Sequence, residues 1–168
     1  MNRRMLADCL ALAALAIFGS TAAAVAGDSV PFKGTLEGTH VSRTPLDPPV
    51  VLDVFELTGN ASHLGKFTLV IEAVVDFGTR PPTGTGTLTF TAANGDKIVA
   101  DNTGFSALVA PGVVLITEIA TIDPDLSTGR FAGATGTFTV ERLADAATGV
   151  TGVTSGSFKG TITRARKK

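Results

Sequence analysis

The chain of 168 residues carries 14 lysines and arginines against 15 aspartates and glutamates, a net charge of −1. A balance so even gives no reason to propose a nucleic-acid partner, and none is expected. With one cysteine, no tryptophan and no tyrosine, the chain forms no internal disulfide and builds no cysteine metal site.

Residues 1–26 read as a secretory signal peptide. Met1, Asn2, Arg3 and Arg4 give a positive start, residues 10–18 (LALAALAIF) are wholly apolar, and Ala24-Val25-Ala26 supplies the small-residue exit. The apolar run is shorter than the about 20 residues that a membrane-spanning helix needs. Cys9 precedes that run instead of following it, so it belongs to the leader and is no lipid anchor. Residues 27–168 then form one domain, exported to the periplasm or the extracellular space and without a membrane span.

From residue 32 the pattern has a period of two. Phe32, Gly34, Leu36 and Gly38 alternate with Lys33, Thr35, Glu37 and Thr39, which predicts a half-buried strand. Pro45, Pro48 and Pro49 make residues 43–49 a loop. A second strand is expected over 50–58, a turn over 59–65, and a third strand in which Phe67, Leu69, Ile71, Ala73, Val75 and Phe77 share one face. Pro81-Pro82 breaks the chain before a fourth strand, with Thr85, Thr87, Thr89 and Thr91 on one side and Leu88, Phe90 and Ala92 on the other. Asn94-Gly95 is a strong hairpin signal, because both residues tolerate positive φ. Strands are further expected over 97–102, 113–122, 130–142 and 157–163, and nothing in the chain reads as a helix after the leader.

Eight short strands at even spacing fit an all-β barrel or sandwich. Phe32-Lys33-Gly34-Thr35-Leu36 is echoed by Phe158-Lys159-Gly160-Thr161-Ile162. Pairing of the first and last strands would remove the exposed edges, so the expected fold is an eight-stranded antiparallel closed barrel, with a β-sandwich as the alternative.

The stretch Thr128-Gly129-Arg130-Phe131-Ala132-Gly133-Ala134-Thr135-Gly136 resembles the G-x-G-x-F-x-G-A-x-G motif of the allene oxide cyclase and dirigent proteins, with Ser127 in place of the first glycine. Residues 60–67 (NASHLGKF) are similar to a recurring stretch of small exported bacterial proteins of unknown function. The resemblance implies an eight-stranded antiparallel barrel whose interior holds an apolar ligand. Dirigent sites rely partly on tyrosine, which this chain lacks.

Residues able to carry chemistry are few. No G-x-S-x-G elbow nominates a serine, and His40 and His63 lack metal-ligand spacing. His63 lies in a predicted turn; His40 ends the first strand in phase with Phe32 and Leu36, at a barrel mouth or in the following loop. Glu56, Glu72 and Glu118 lie in strands rich in Val, Ile and Leu. Inside an apolar barrel such a carboxylate would have a raised pKa and act as a general acid or base; on the outer face it is an ordinary surface charge. Glu56 is in phase with Val50, Leu52 and Val54, and Glu118 with Val114, Ile116 and Ala120. Asp123-Pro124-Asp125 reads as a turn, since the ligand set of a calcium loop is absent. Asn60-Ala61-Ser62 is a glycosylation sequon that matters only in a glycosylating host. Arg164, Arg166, Lys167 and Lys168 read as a solvated terminus.

The expected function is that of an exported barrel that binds an apolar small molecule without catalysis, or serves a structural role. The alternative is a cyclase- or isomerase-like enzyme acting on an apolar substrate held in the barrel, for which Glu56, Glu72, Glu118 and His63 are the candidate residues. No cofactor and no metal are expected, and the oligomeric state is left open.

Overall fold

The computed structural model describes residues 27–146 and 152–163. The leader assigned to residues 1–26 and the basic cluster at 164–168 lie outside the described residues. The strands are β1 (Ser29–Pro45), β2 (Val50–Ala61), β3 (Gly65–Asp76), β4 (Thr83–Ala92), β5 (Lys97–Ala110), β6 (Val113–Asp123), β7 (Thr137–Asp145) and β8 (Val153–Thr163). Each pairs antiparallel with the next, and β1 pairs with β8 from Ser29 opposite Thr163 to Thr39 opposite Val153. The sheet is therefore a closed eight-stranded antiparallel barrel, and the sandwich alternative is set aside. Closure leaves no row of unpaired backbone groups for another chain to add to.

The echo between the first and last strands has a steric meaning. Phe32 lies opposite Gly160 and Gly34 opposite Phe158, so each ring faces the other strand's glycine. The two rings sit 4.9 Å apart, centroid to centroid. Phe67, Phe90 and Phe138 complete a cluster at this end, most pairs of it edge to face. Such pairs contribute about 0.5–1.5 kcal/mol each beyond their burial.

β2 runs on to Ala61, β7 to Asp145 and β8 starts at Val153, each a few residues beyond the sequence expectation, and three further differences shape the interior. β1 continues through residues 43–45, because a bulge between His40 and Ser42 restores its register with β2. β5 runs on to Ala110, paired with the start of β6. β7 begins at Thr137, not at residue 130. Gly129 and Gly133 hold φ values of 62° and 73°, a left-handed backbone outside the range of a regular strand. The glycine motif instead makes a single 3₁₀ turn, Gly129–Phe131, that buries Phe131 completely. Together with Leu64 and Ala134 it closes the end of the barrel that holds the β2–β3 and β4–β5 turns. Arg130 secures this stopper by donating to the Leu64 carbonyl at 3.1 Å.

Candidate functional site

Followed from the stoppered end to the other, the inward residues of six strands change from apolar to polar. β1 presents Phe32, Leu36 and then His40; β2 presents Leu57, Phe55 and then Asp53. β5 ends in Asn102 after Ile98 and Ala100, β6 in Glu118 after Ile122 and Ala120, β7 in Arg142 after Phe138 and Val140, and β8 in Thr154 after Ile162 and Phe158. All six polar residues are buried. β3 stays apolar through Ala73 and Val75, while β4 turns to Gly84 and Gly86. Small residues on one side and long polar ones on the other leave a cavity of about 310 Å³ in this half, with Phe55, Val75, Phe77, Phe105 and Ile116 among its apolar walls.

Two ion pairs border the cavity. The Arg142 guanidinium donates to Glu118 through Nε at 3.1 Å and Nη2 at 3.4 Å, and both side chains are nearly sealed from solvent, at 1% and 5% exposure. Its Nη1 reaches Thr154 Oγ1 at 3.4 Å, and its plane lies over the Phe55 ring at 4.2 Å. Asn102 Nδ2 donates to Glu118 Oε1 at 3.0 Å. This contact sets the amide orientation, since a turned amide would put its oxygen against a carboxylate. Asn102 Oδ1 is then buried with no hydrogen-bond partner among the described residues. An acceptor of this kind costs about 1–3 kcal/mol unless water or a ligand meets it, and this one belongs to a residue of the cavity wall.

The second pair forms at the open end. Arg43 grips Asp53 with two bonds of 2.7 Å and lies over Phe77 at 4.9 Å. The hydrogen bond to Asp53 holds the Arg43 pKa above its ordinary value against the opposing effect of burial. Arg43 reaches Asp53 because of the bulge in β1. Without the extra residue, Arg43 would have the outward phase of Val41; with it, Arg43 pairs with Asp53, which points inward. His40 stacks on Phe55 at 4.6 Å, and its Nε2 approaches the Ser42 carbonyl at 2.8 Å and Asp53 Oδ1 at 3.2 Å. A carbonyl only accepts, so Nε2 carries the proton.

Of the four residues nominated from the sequence, Glu118 lies in this network. The other three do not. Glu56 and Glu72 are exposed on the outer face, and His63 is exposed in the β2–β3 turn with φ of 65°. Grouping Glu56 with Val50, Leu52 and Val54 followed the wrong face of β2: those residues are half-buried outside, and the inward set is Asp53, Phe55 and Leu57. Glu56→Gln and Glu72→Gln are accordingly expected to alter stability by less than about 0.5 kcal/mol in denaturant unfolding, as ordinary surface charges do. His40 lies inward at the open end, one of the two places its phase with Phe32 and Leu36 allowed, while Asp53, Asn102 and Arg142 were missed. Each of these three was findable by phase, because each stands two residues beyond an inward apolar or aromatic residue.

No protein-family model matches this chain, and no curated protein or solved structure matches it either. The site must be read from its own chemistry. Among the described residues, no group of three or more His, Cys, Asp or Glu side chains is placed to hold a metal ion, and no helix is long and apolar enough to cross a membrane. Both oxygens of Glu118 are committed to Arg142 and Asn102, so this carboxylate holds the wall of the cavity in place.

Proposed function

We propose that this exported barrel binds a small, largely apolar molecule in its open half. The observation that carries the reading is the division of the interior: one end is packed with phenylalanine rings and stoppered, while the other keeps a cavity of about 310 Å³. Eight strands enclose space that side chains can fill, so an unfilled half is a feature of this sequence and not of the fold. Apolar walls with a few convergent polar groups are the usual make-up of a ligand pocket. Kinship with the allene oxide cyclase and dirigent barrels is supported by the closed antiparallel eight-stranded sheet and the glycine motif at residues 128–136.

The test is titration with the apolar dye N-phenyl-1-naphthylamine, whose fluorescence rises on leaving water. The chain has no tryptophan or tyrosine to interfere. Ala73 and Ala144 both border the cavity. The double variant Ala73→Leu/Ala144→Leu is expected to weaken dye binding roughly tenfold or more by occupying the space, with the melting temperature held or raised. Unchanged binding by the filled variant would remove the cavity as the binding site.

A second reading, isomerase- or cyclase-like action on the bound molecule, is favoured by the His40–Asp53 contact. An imidazole oriented by a carboxylate beside a cavity is the arrangement general acid–base chemistry uses. Its test is chemical: the molecule extracted from the native protein is returned to it, and to His40→Gln, and recovered. Recovery unchanged from both would end this reading and leave the first standing.

A further inference from the structure

We infer that the cavity selects molecules with an uncharged polar group and rejects both anionic and cationic ones. The inference rests on the binding reading above and adds the chemical class of the ligand. Six charged or titratable residues border the cavity: His40, Arg43, Asp53, Glu118, Arg142 and Asp145. Arg142 is matched by Glu118 and Arg43 by Asp53, the latter through two short bonds. Asp145 also has a partner. A carboxylate or phosphate entering the cavity meets arginines whose charge Glu118 and Asp53 already balance, so binding it sets a second anion beside a buried carboxylate or displaces that carboxylate from its arginine.

Cations fare no better. An ammonium group in such a pocket would look for a carboxylate or an aromatic face. Both internal carboxylates are taken. The Phe55 ring already carries the Arg142 guanidinium at 4.2 Å and the His40 ring at 4.6 Å, and Phe77 carries Arg43 at 4.9 Å. What remains is apolar wall, with the Phe105 ring half exposed at the solvated rim where a cation gains little over water, and the neutral dipoles around it, Thr83, Asn102 and Ser106. Alcohols, amides, phenols and ketones suit such a lining.

The test uses three probes of one chain length, 1-decanol, decanoate and decylammonium, titrated calorimetrically at neutral pH. Decanol is expected to bind roughly tenfold or more tighter than either ion, because like-charge contact and desolvation both act against the ions. Glu118→Gln keeps the shape of the side chain and frees the Arg142 charge; it should raise decanoate affinity relative to decanol roughly tenfold. Asp53→Asn does the same for Arg43, which is partly exposed and so tolerates the loss of its partner better, and it serves should Glu118→Gln fail to fold. Binding of all three probes within twofold of one another, or preference for an ion, overturns the inference and leaves the binding reading intact. A folded Glu118→Gln or Asp53→Asn variant without gain for decanoate also overturns it. Failure of every probe to bind, together with failure of the dye, overturns the binding reading itself.

Discussion

Replacing Arg142 with methionine is expected to cost about 3–5 kcal/mol of stability, because Glu118 is left as a buried charge without its partner. The physical reason lies in the burial of both groups. Arg142 is 1% exposed and Glu118 5%, so water cannot take over the lost interaction. Methionine fills much of the arginine's volume, which separates loss of charge from loss of packing. Adding Glu118→Leu to Arg142→Met should restore most of the loss, since a buried pair replaced by apolar groups is often neutral. Asn102 Nδ2 then loses its acceptor and keeps the recovery incomplete. Denaturant unfolding of the two single variants and the double gives the coupling energy directly. A loss below about 1 kcal/mol for Arg142→Met, the size of a surface pair, would mean the pair is solvated and not sealed in the barrel.

Gly34→Ala is the second change with a large expected effect. A methyl group at position 34 would stand 2.6 Å from the Asn60 carbonyl oxygen, 2.8 Å from Ala61 Cβ and 2.8 Å from the Phe158 ring. Gly160→Ala meets backbone as well, at Thr137 and Phe138. A crowding ring can turn aside, but a backbone oxygen moves only if the strand pairing moves with it. Each variant is expected to lose about 3 kcal/mol, the upper end of ordinary overpacking, and to loosen the pairing its backbone clash opposes, β1–β2 for Gly34→Ala and β7–β8 for Gly160→Ala. Faster amide exchange across β1 and β2 in the first variant, and across β7 and β8 in the second, than across β4 and β5 would locate the damage there. Thr35→Ala, exposed on the outer face beside Gly34, is the control and should stay within about 0.5 kcal/mol. Equal stability of Gly34→Ala and the control would show that the strands do not approach as closely as described.

The mutual facing of Phe32 with Gly160 and of Gly34 with Phe158 shows why the fold was legible in the sequence. Alternation over β1, β3, β4 and β8 is regular, the residues on the core face are mostly apolar or glycine, and the repeated F-K-G-T-L/I block marks the two strands that meet. The glycine motif misled at one point. Its hydrophobic positions suggested a strand from residue 130, whereas the left-handed φ of Gly129 and Gly133 turns the segment out of the sheet and folds Phe131 over the barrel end.

The site was only partly legible. Glu118 was visible because it interrupts an apolar phase in β6, but Glu56 and Glu72 interrupt similar-looking runs from the outside. On β2 both faces carry aliphatic residues near the open end, so alternation does not say which is inward. Asp53 is settled there by the register with β1 and β3, and Arg43 by the bulge at residue 41, a three-dimensional event with no mark in the local pattern.

Period-two alternation, a repeated strand motif and closely spaced turns were sufficient to determine an eight-stranded all-β fold and to favour a closed barrel over a sandwich, because each is a local property that the neighbouring strand must respect. The tertiary structure alone decided that Arg142 meets Glu118, that Arg43 and His40 converge on Asp53, and that one half of the interior stays open. Those outcomes depend on stagger between strands far apart in sequence and on the summed volumes of residues contributed by all eight, quantities that no single stretch of sequence contains.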